Sequence, residues 1–120
     1  MKIHKSAEDY LEMILMLQET KGYVRSIDIA TGLSVSKPSV SVAMKHLRED
    51  NYITMDKDNH ISLTESGMEI ARRIYDRHKV LIQFLVQLGV DEETAHEDAC
   101  KIEHDISTAT YLAIKNHLEK

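Results

Sequence analysis

The sequence predicts a mostly α-helical protein interrupted by a single β-hairpin. One proline, four glycines and 5% aromatic residues in 120 leave few helix breakers and little strand-forming bulk. Apolar residues recur at three- and four-residue steps, the spacing of one helix face, most plainly at Ile70, Ile74, Leu81, Leu85 and Leu88. The exception is residues 52–63, where two short stretches, 52–55 and 60–63, flank the polar turn Asp56-Lys57-Asp58-Asn59.

The elements follow in order. Residues 6–20 form an amphipathic helix with Ser6 as its N-cap and Glu8 and Asp9 in the first turn, where carboxylates suit the helix dipole. Residues 21–25 are a loop containing Gly22. Ser26 caps a short helix over 27–31, which Gly32 ends, and residues 33–35 turn the chain. Ser36 caps the next helix, to about Asp50, with Pro38 in its first turn, where a missing N–H costs nothing. After the hairpin, Thr64 caps a long helix to about Leu88, closed by Gly89. Asp91 caps a helix to about Asp105. Ser107 caps the last, with Tyr111, Ile114 and Leu118 on one face.

Composition sets the class. Hydrophobic residues make up 42% and charged residues 29%, the balance of a soluble globular chain rather than a disordered one. A chain of this length buries only a modest share of its surface alone, which favours association with a second subunit. No apolar run approaches the roughly 20 residues a membrane helix needs, and MKIHKSAEDY lacks the apolar stretch of a signal peptide. The single cysteine, Cys100, excludes an intrachain disulfide framework and fits a reducing, cytoplasmic setting. A net charge of −5 argues against a non-specific nucleic-acid coat, though not against a DNA reader with a local basic surface.

Helix, short helix, tight turn, helix, hairpin is the plan of a winged helix-turn-helix, here over residues 1–63, followed by an all-helical domain over 64–120. A helix about 10–12 Å across fits the major groove of B-DNA, and its N-terminal residues reach base edges. The helix opening at Ser36 suits that role. Ser36, Lys37, Pro38, Ser39, Ser41 and Val42 are small or basic, Lys45 follows, and no acid intervenes before Arg48. Val40, Ala43, Met44 and Leu47 are left for packing. Arg25 in the preceding loop and Lys57 on the wing complete the candidate DNA contacts. Residues 21–60 hold six Lys/Arg against five Asp/Glu, so the favourable charge is confined to these positions.

The second domain carries donors for a metal. The helix from Asp91 carries His96, Cys100, Glu103 and His104, which fall within an arc of roughly 100°. Imidazole, thiol and carboxylate are the donor types of a transition-metal site. His78 lies beside the Ile74/Leu81 stripe and so faces inward, and Asp9 and Glu12 share one face of the first helix with Met13 and Met16. Each of these residues alone has an ordinary explanation as a core histidine, a small buried thiol or a first-turn acid. Together they place donors on several helices.

The residues Ser6-x-x-Asp9-Tyr10-Leu11-x-x-Ile14, Val35-Ser36-x-Pro38-Ser39-Val40-Ser41, Leu63-Thr64-x-x-Gly67, Arg77-His78-x-x-Leu81-x-x-Phe84-Leu85 and Cys100-x-x-Glu103-His104 resemble the diphtheria toxin repressor / manganese transport regulator family of metal-dependent bacterial repressors. The resemblance covers essentially the whole chain and is similar to the short form that lacks a C-terminal SH3-like domain. It implies metal ligands at Asp9, Glu12, His78, Cys100, Glu103 and His104, with His96 as an additional-site donor. Asp9 and Glu12 resemble the manganese branch and Cys100 the iron branch. Ile82 stands where iron-type members have a glutamate. The resemblance further implies a homodimer built by the second domain and bound to a palindromic DNA operator, and the spare apolar residues Phe84, Leu88, Tyr111, Ile114 and Leu118 are candidates for that interface. Mn(II) or Fe(II) is the expected co-repressor, with Zn(II) or Co(II) able to bind in vitro. No enzymatic activity, membrane or small organic substrate is expected. Two alternatives stay open at this point: a metal-independent winged-helix regulator with a structural polar cluster, and a two-metal hydrolase.

Overall fold

The computed structural model describes residues 5–120. Among them are helices α1 (Lys5–Lys21), α2 (Ser26–Leu33) and α3 (Lys37–Glu49), strands β1 (Ile53–Met55) and β2 (Ile61–Leu63), then helices α4 (Glu65–Gln87), α5 (Glu92–Ile102) and α6 (Thr108–Glu119). The chain divides into two compact units, the boundary falling inside α4 between Arg72 and Arg73.

The first unit is a winged helix-turn-helix. Helix α1 packs against α2, α3 and β2, burying Leu11, Ile14 and Leu15 with Ile29, Val40, Met44 and Leu47. The α3 residues in this core recur at four- and three-residue steps, which leaves the opposite face of the helix outward. Strands β1 and β2 pair antiparallel, Thr54 opposite Ser62, with Ile53 and Ile61 buried. The wing turn is closed by Asp56, whose Oδ1 accepts the N–H groups of Asp58 and His60 at 2.8 and 2.9 Å.

Local capping follows the sequence in four of six helices. Ser36, Asp91 and Ser107 accept the N–H three residues on, at 3.0–3.2 Å, and Thr64 Oγ1 accepts from Gly67 N at 3.1 Å. The other two helices depart from the expectation. Helix α1 is already formed at Lys5, so Ser6 lies within it rather than capping it. Helix α2 takes Arg25 as its N-cap instead of Ser26, because the Asp28 carboxylate reaches back to accept the Arg25 N–H at 3.0 Å. Gly32 does not end α2. The helix runs through Leu33 and is closed by Ser34, a non-glycine residue at φ 56°. A Cβ on Gly32 would sit 2.8 Å from Met13 Sδ, so its small size serves the approach of α2 to α1.

Asp28 also accepts from Lys21 Nζ at 2.6 Å. That bond first, and the Arg25 N–H second, hold its carboxyl below the ordinary value of 3.8. The depression stabilises the fold above the ordinary value and is lost as pH falls through the lower folded value. In chemical unfolding followed between pH 7 and pH 2, Asp28→Asn should be less stable than the wild type at neutral pH, with the gap closing below pH 3.8. A gap independent of pH would assign the loss to something other than the charge.

The second unit comprises the rest of α4 with α5 and α6. Its buried residues are Ile74, Leu81, Ala95 and Ala99, joined by three polar ones, Arg77, His78 and Glu103. Helix α5 stops at Ile102, three residues short of the expected end. Arg77 Nη1 captures the carbonyl oxygens of Glu103 and Ile106 at 3.2 and 2.9 Å, and the chain turns before Ser107 starts α6. Helix α6 has no buried residue, and Leu88 and Leu112 are 65% and 47% exposed.

Candidate metal centre and nucleic-acid interface

Within the second unit, α4 presents His78 on its buried stripe. Glu103, in the turn after α5, is fully buried, and its Oε2 lies 2.8 Å from His78 Nδ1. Cys100, one turn earlier on α5, brings its Sγ to 3.9 Å from the same nitrogen. One donor atom from each of these three residues lies within 4.8 Å of the others, close enough to share one ion. The neighbouring His104, its side chain 2% exposed, has Nε2 3.5 Å from Glu103 Oε1.

Glu103 Oε1 is the informative atom. It is buried and has no hydrogen-bond partner among the described residues, since 3.5 Å to His104 is an ion-pair distance only. Burying a carboxylate oxygen without a partner costs free energy, and a divalent cation among these donors would remove that cost. Carboxylate, two imidazoles and a thiol fit a first-row transition ion such as Mn(II), Fe(II), Co(II) or Zn(II).

His96 is exposed at the rim, its ring edge-on to His78 at 5.7 Å between centroids. Asp9 and Glu12 lie one turn apart on α1, half-buried and buried respectively. Helix α5 ends at Ile102 with Glu103 as its C-cap in right-handed helical geometry, so the expected arc carries His96, Cys100 and Glu103, and His104 follows in the turn.

The first unit presents the expected reading surface. Ser36, Lys37, Pro38, Ser39, Ser41, Val42 and Lys45 are all exposed, as are Arg25 and Lys57. A groove of about 400 Å³ runs between the start of α2, one face of α3 and the wing, lined by Arg25, Ser41, Lys45, Arg48 and Asn59. Arg25 Nη2 donates to His60 Nε2 at 3.3 Å, tying this arginine to the base of the wing. Two residues were not singled out from the sequence. Arg48 shares the α3 face of Ser41 and Lys45, and its signal was the four- and three-residue spacing. Arg77 shapes the ligand turn, and its signals in the sequence are its place beside an inward histidine and at the head of the motif Arg77-His78-x-x-Leu81.

A DNA-reading fold in the same chain as a cluster of metal donors, His78 and Glu103 buried and Cys100 exposed, defines a metal-responsive transcriptional regulator. The chain belongs to the iron-dependent repressor family: residues 2–61 match "Iron dependent repressor, N-terminal DNA binding domain" and residues 64–120 match "Iron dependent repressor, metal binding and dimerisation domain". It is a DNA-binding regulator and not an enzyme. It is 44% identical over 102 residues to the HTH-type transcriptional regulator MntR of Bacillus pumilus (strain SAFR-032), covering 85% of this chain and 71% of that one. Two solved structures are similar along nearly its whole length. The manganese regulator SloR has a TM-score of 0.83 at 31% identity, covering 99% of this chain and 55% of that one. A manganese-dependent transcriptional repressor in complex with manganese has a TM-score of 0.86 at 30% identity, covering 94% and 52%. The chain thus spans a little over half the length of these solved structures. No helix among the described residues is long and apolar enough to cross a membrane.

Proposed function

We propose that this protein is a cytoplasmic repressor of metal-homeostasis genes that binds a palindromic operator as a homodimer when loaded with Mn(II) or Fe(II). The observation that carries the reading is the orphaned, buried oxygen of Glu103 among His78, Cys100 and His104. These four residues hold the ion, with Asp9 and Glu12 supplying further carboxylates from the DNA-binding domain and His96 serving an additional site. Carboxylates suit Mn(II), the metal named for several relatives. The Cys100 thiolate shifts preference towards Fe(II), Co(II) and Zn(II), so the two later metals bind in vitro as well.

The bound ion supplies positive charge that compensates Glu103. The protein does the rest. The 103–106 turn sets the donor positions, and α3 with Lys37, Ser39, Ser41 and Lys45 reads the major groove. Arg25 and Lys57 hold the backbone on either side. The half-exposed residues of α6, Tyr111, Ile114 and Leu118, with Phe84 and Leu88, form the dimer interface and set the spacing of two recognition helices. Metal favours the DNA-competent arrangement only as far as it binds that arrangement better, and operator DNA tightens metal binding by the same factor.

The test is fluorescence anisotropy with a pool of palindromic promoter DNA. Titrations in chelator, in Mn(II) and in anaerobic Fe(II) should show binding only with metal. Equal binding in chelator would leave a DNA reader and remove the metal switch. In the metal-loaded protein, Lys45→Ala should weaken binding across sequences and lower the salt slope by about one. An unchanged slope would displace α3 from the groove.

A further inference from the structure

We propose that Arg77 is the positioning residue of the metal centre. It touches no metal, but its guanidinium holds the turn that aims Glu103 and His104. The proposal rests on the functional reading above and names a residue that this reading does not use.

The geometry lies wholly in the second unit. Arg77 is 7% exposed, an unusual place for a permanent cation. Nη1 donates to the carbonyl oxygens of Glu103 at 3.2 Å and Ile106 at 2.9 Å, and Nη2 donates to Thr108 Oγ1 at 3.1 Å. One planar group therefore grips the first and last residues of the turn and the first residue of α6. The guanidinium carbon also lies 5.4 Å from the centroid of the Tyr111 ring, one turn further along α6.

The chemistry of the turn requires such a grip. The last carbonyl groups of a helix have no intrahelical partner. Glu103 stands at that end: its N–H donates to Ala99 O at 3.0 Å, its own carbonyl is taken by Arg77, and its side chain is fully buried and aimed at His78. Arg77 precedes His78, so one turn of α4 provides both an imidazole donor and the strut for the next two donors. A lysine cannot replace it, because one ammonium does not span three acceptors held by a planar fork.

The experiment measures Mn(II) affinity of the full chain by calorimetry and by the loss of the free-ion EPR signal. It compares wild type, Arg77→Lys, Thr108→Val, Thr108→Ser and Glu103→Gln, each first checked for helicity and melting without metal. Every ligand is present in Arg77→Lys, yet its folded form should bind Mn(II) about 10–100-fold more weakly, the range for removing a group that orients ligands. Thr108→Val should lose about fivefold, the worth of one hydrogen bond, and Thr108→Ser should recover it. A merely structural arginine would lower the melting temperature and leave the affinity of the folded protein unchanged. Wild-type affinity in Arg77→Lys, with affinity lost in Glu103→Gln, overturns the proposal and leaves the functional reading standing. Wild-type affinity in Glu103→Gln overturns the functional reading itself. If Arg77→Lys does not fold, the Thr108 pair decides: equal affinity in valine and serine variants overturns the proposal.

Discussion

Replacing Glu103 with glutamine should abolish metal-dependent DNA binding while leaving the metal-free protein at least as stable as before. Two opposing terms decide this. Without metal, a fully buried carboxyl group is expensive to keep in the interior. Its Oε2 is paired with His78 at 2.8 Å, but its Oε1 has no hydrogen bond among the described residues and only His104 Nε2 at 3.5 Å. Glutamine keeps the shape and can still accept from the imidazole, and it removes the buried carboxyl group. The metal-free melting temperature should hold or rise. With metal the sign reverses. The variant lacks the central anionic donor, so Mn(II) affinity should fall by more than about 100-fold, the upper range for losing a mere orienting partner. A ligand at a hundred times its dissociation constant adds about 2.7 kcal/mol of stability. That increment, visible as a metal-induced rise in melting temperature, should be present in wild type and absent in Glu103→Gln. Anisotropy of operator DNA should show the same pair of outcomes. A variant that is less stable without metal yet keeps the rise would make Glu103 a structural residue.

Gly67→Ala should unfold the start of α4 or shift it off the wing, against the usual expectation for a helix. Alanine in a helix interior is about 1 kcal/mol better than glycine by intrinsic propensity. Here a Cβ would lie 2.0 Å from the backbone oxygen of Tyr52 and 2.9 Å from its carbonyl carbon. Both are backbone atoms and cannot rotate away. The same Tyr52 oxygen accepts the Thr64 N–H at 3.0 Å, and Thr64 and Ser66 hydroxyls both donate to Asn51 O, at 2.6 and 3.2 Å. The hairpin approach and the helix cap therefore share one set of atoms, and moving either breaks the other. The expected cost is about 3 kcal/mol, the upper part of the range for overpacking. It should appear as a fall of roughly 10 °C in the melting temperature. A rise in melting temperature would show that propensity outweighs the contact.

The two variants differ in how readable they were. Gly67 stood in a motif, but nothing in its neighbours showed that a carbonyl fifteen residues earlier occupies the space of its missing side chain. His78 was assigned inward from the Ile74/Leu81 stripe alone, and it is buried. The caps at Ser36, Thr64, Asp91 and Ser107 were equally legible, because a cap is a hydrogen bond to a residue three positions on. The cap of α2 was misread for a related reason. Asp28 outcompeted Ser26 by reaching back to Arg25 and across to Lys21, and the second of these partners is seven residues away.

What the sequence by itself determined is the order of the elements, the outward face of α3 and the set of donor residue types. Each depends on spacings of three or four residues, which local hydrogen bonds and helical periodicity dictate. What only the tertiary structure decided is the end of α5 at Ile102, the turn that carries Glu103 and His104, and the role of Arg77. These depend on bonds between residues 25 to 31 positions apart. Such bonds form only where burial makes an unpaired polar group costly, and burial is a property of the packed chain rather than of any stretch of it.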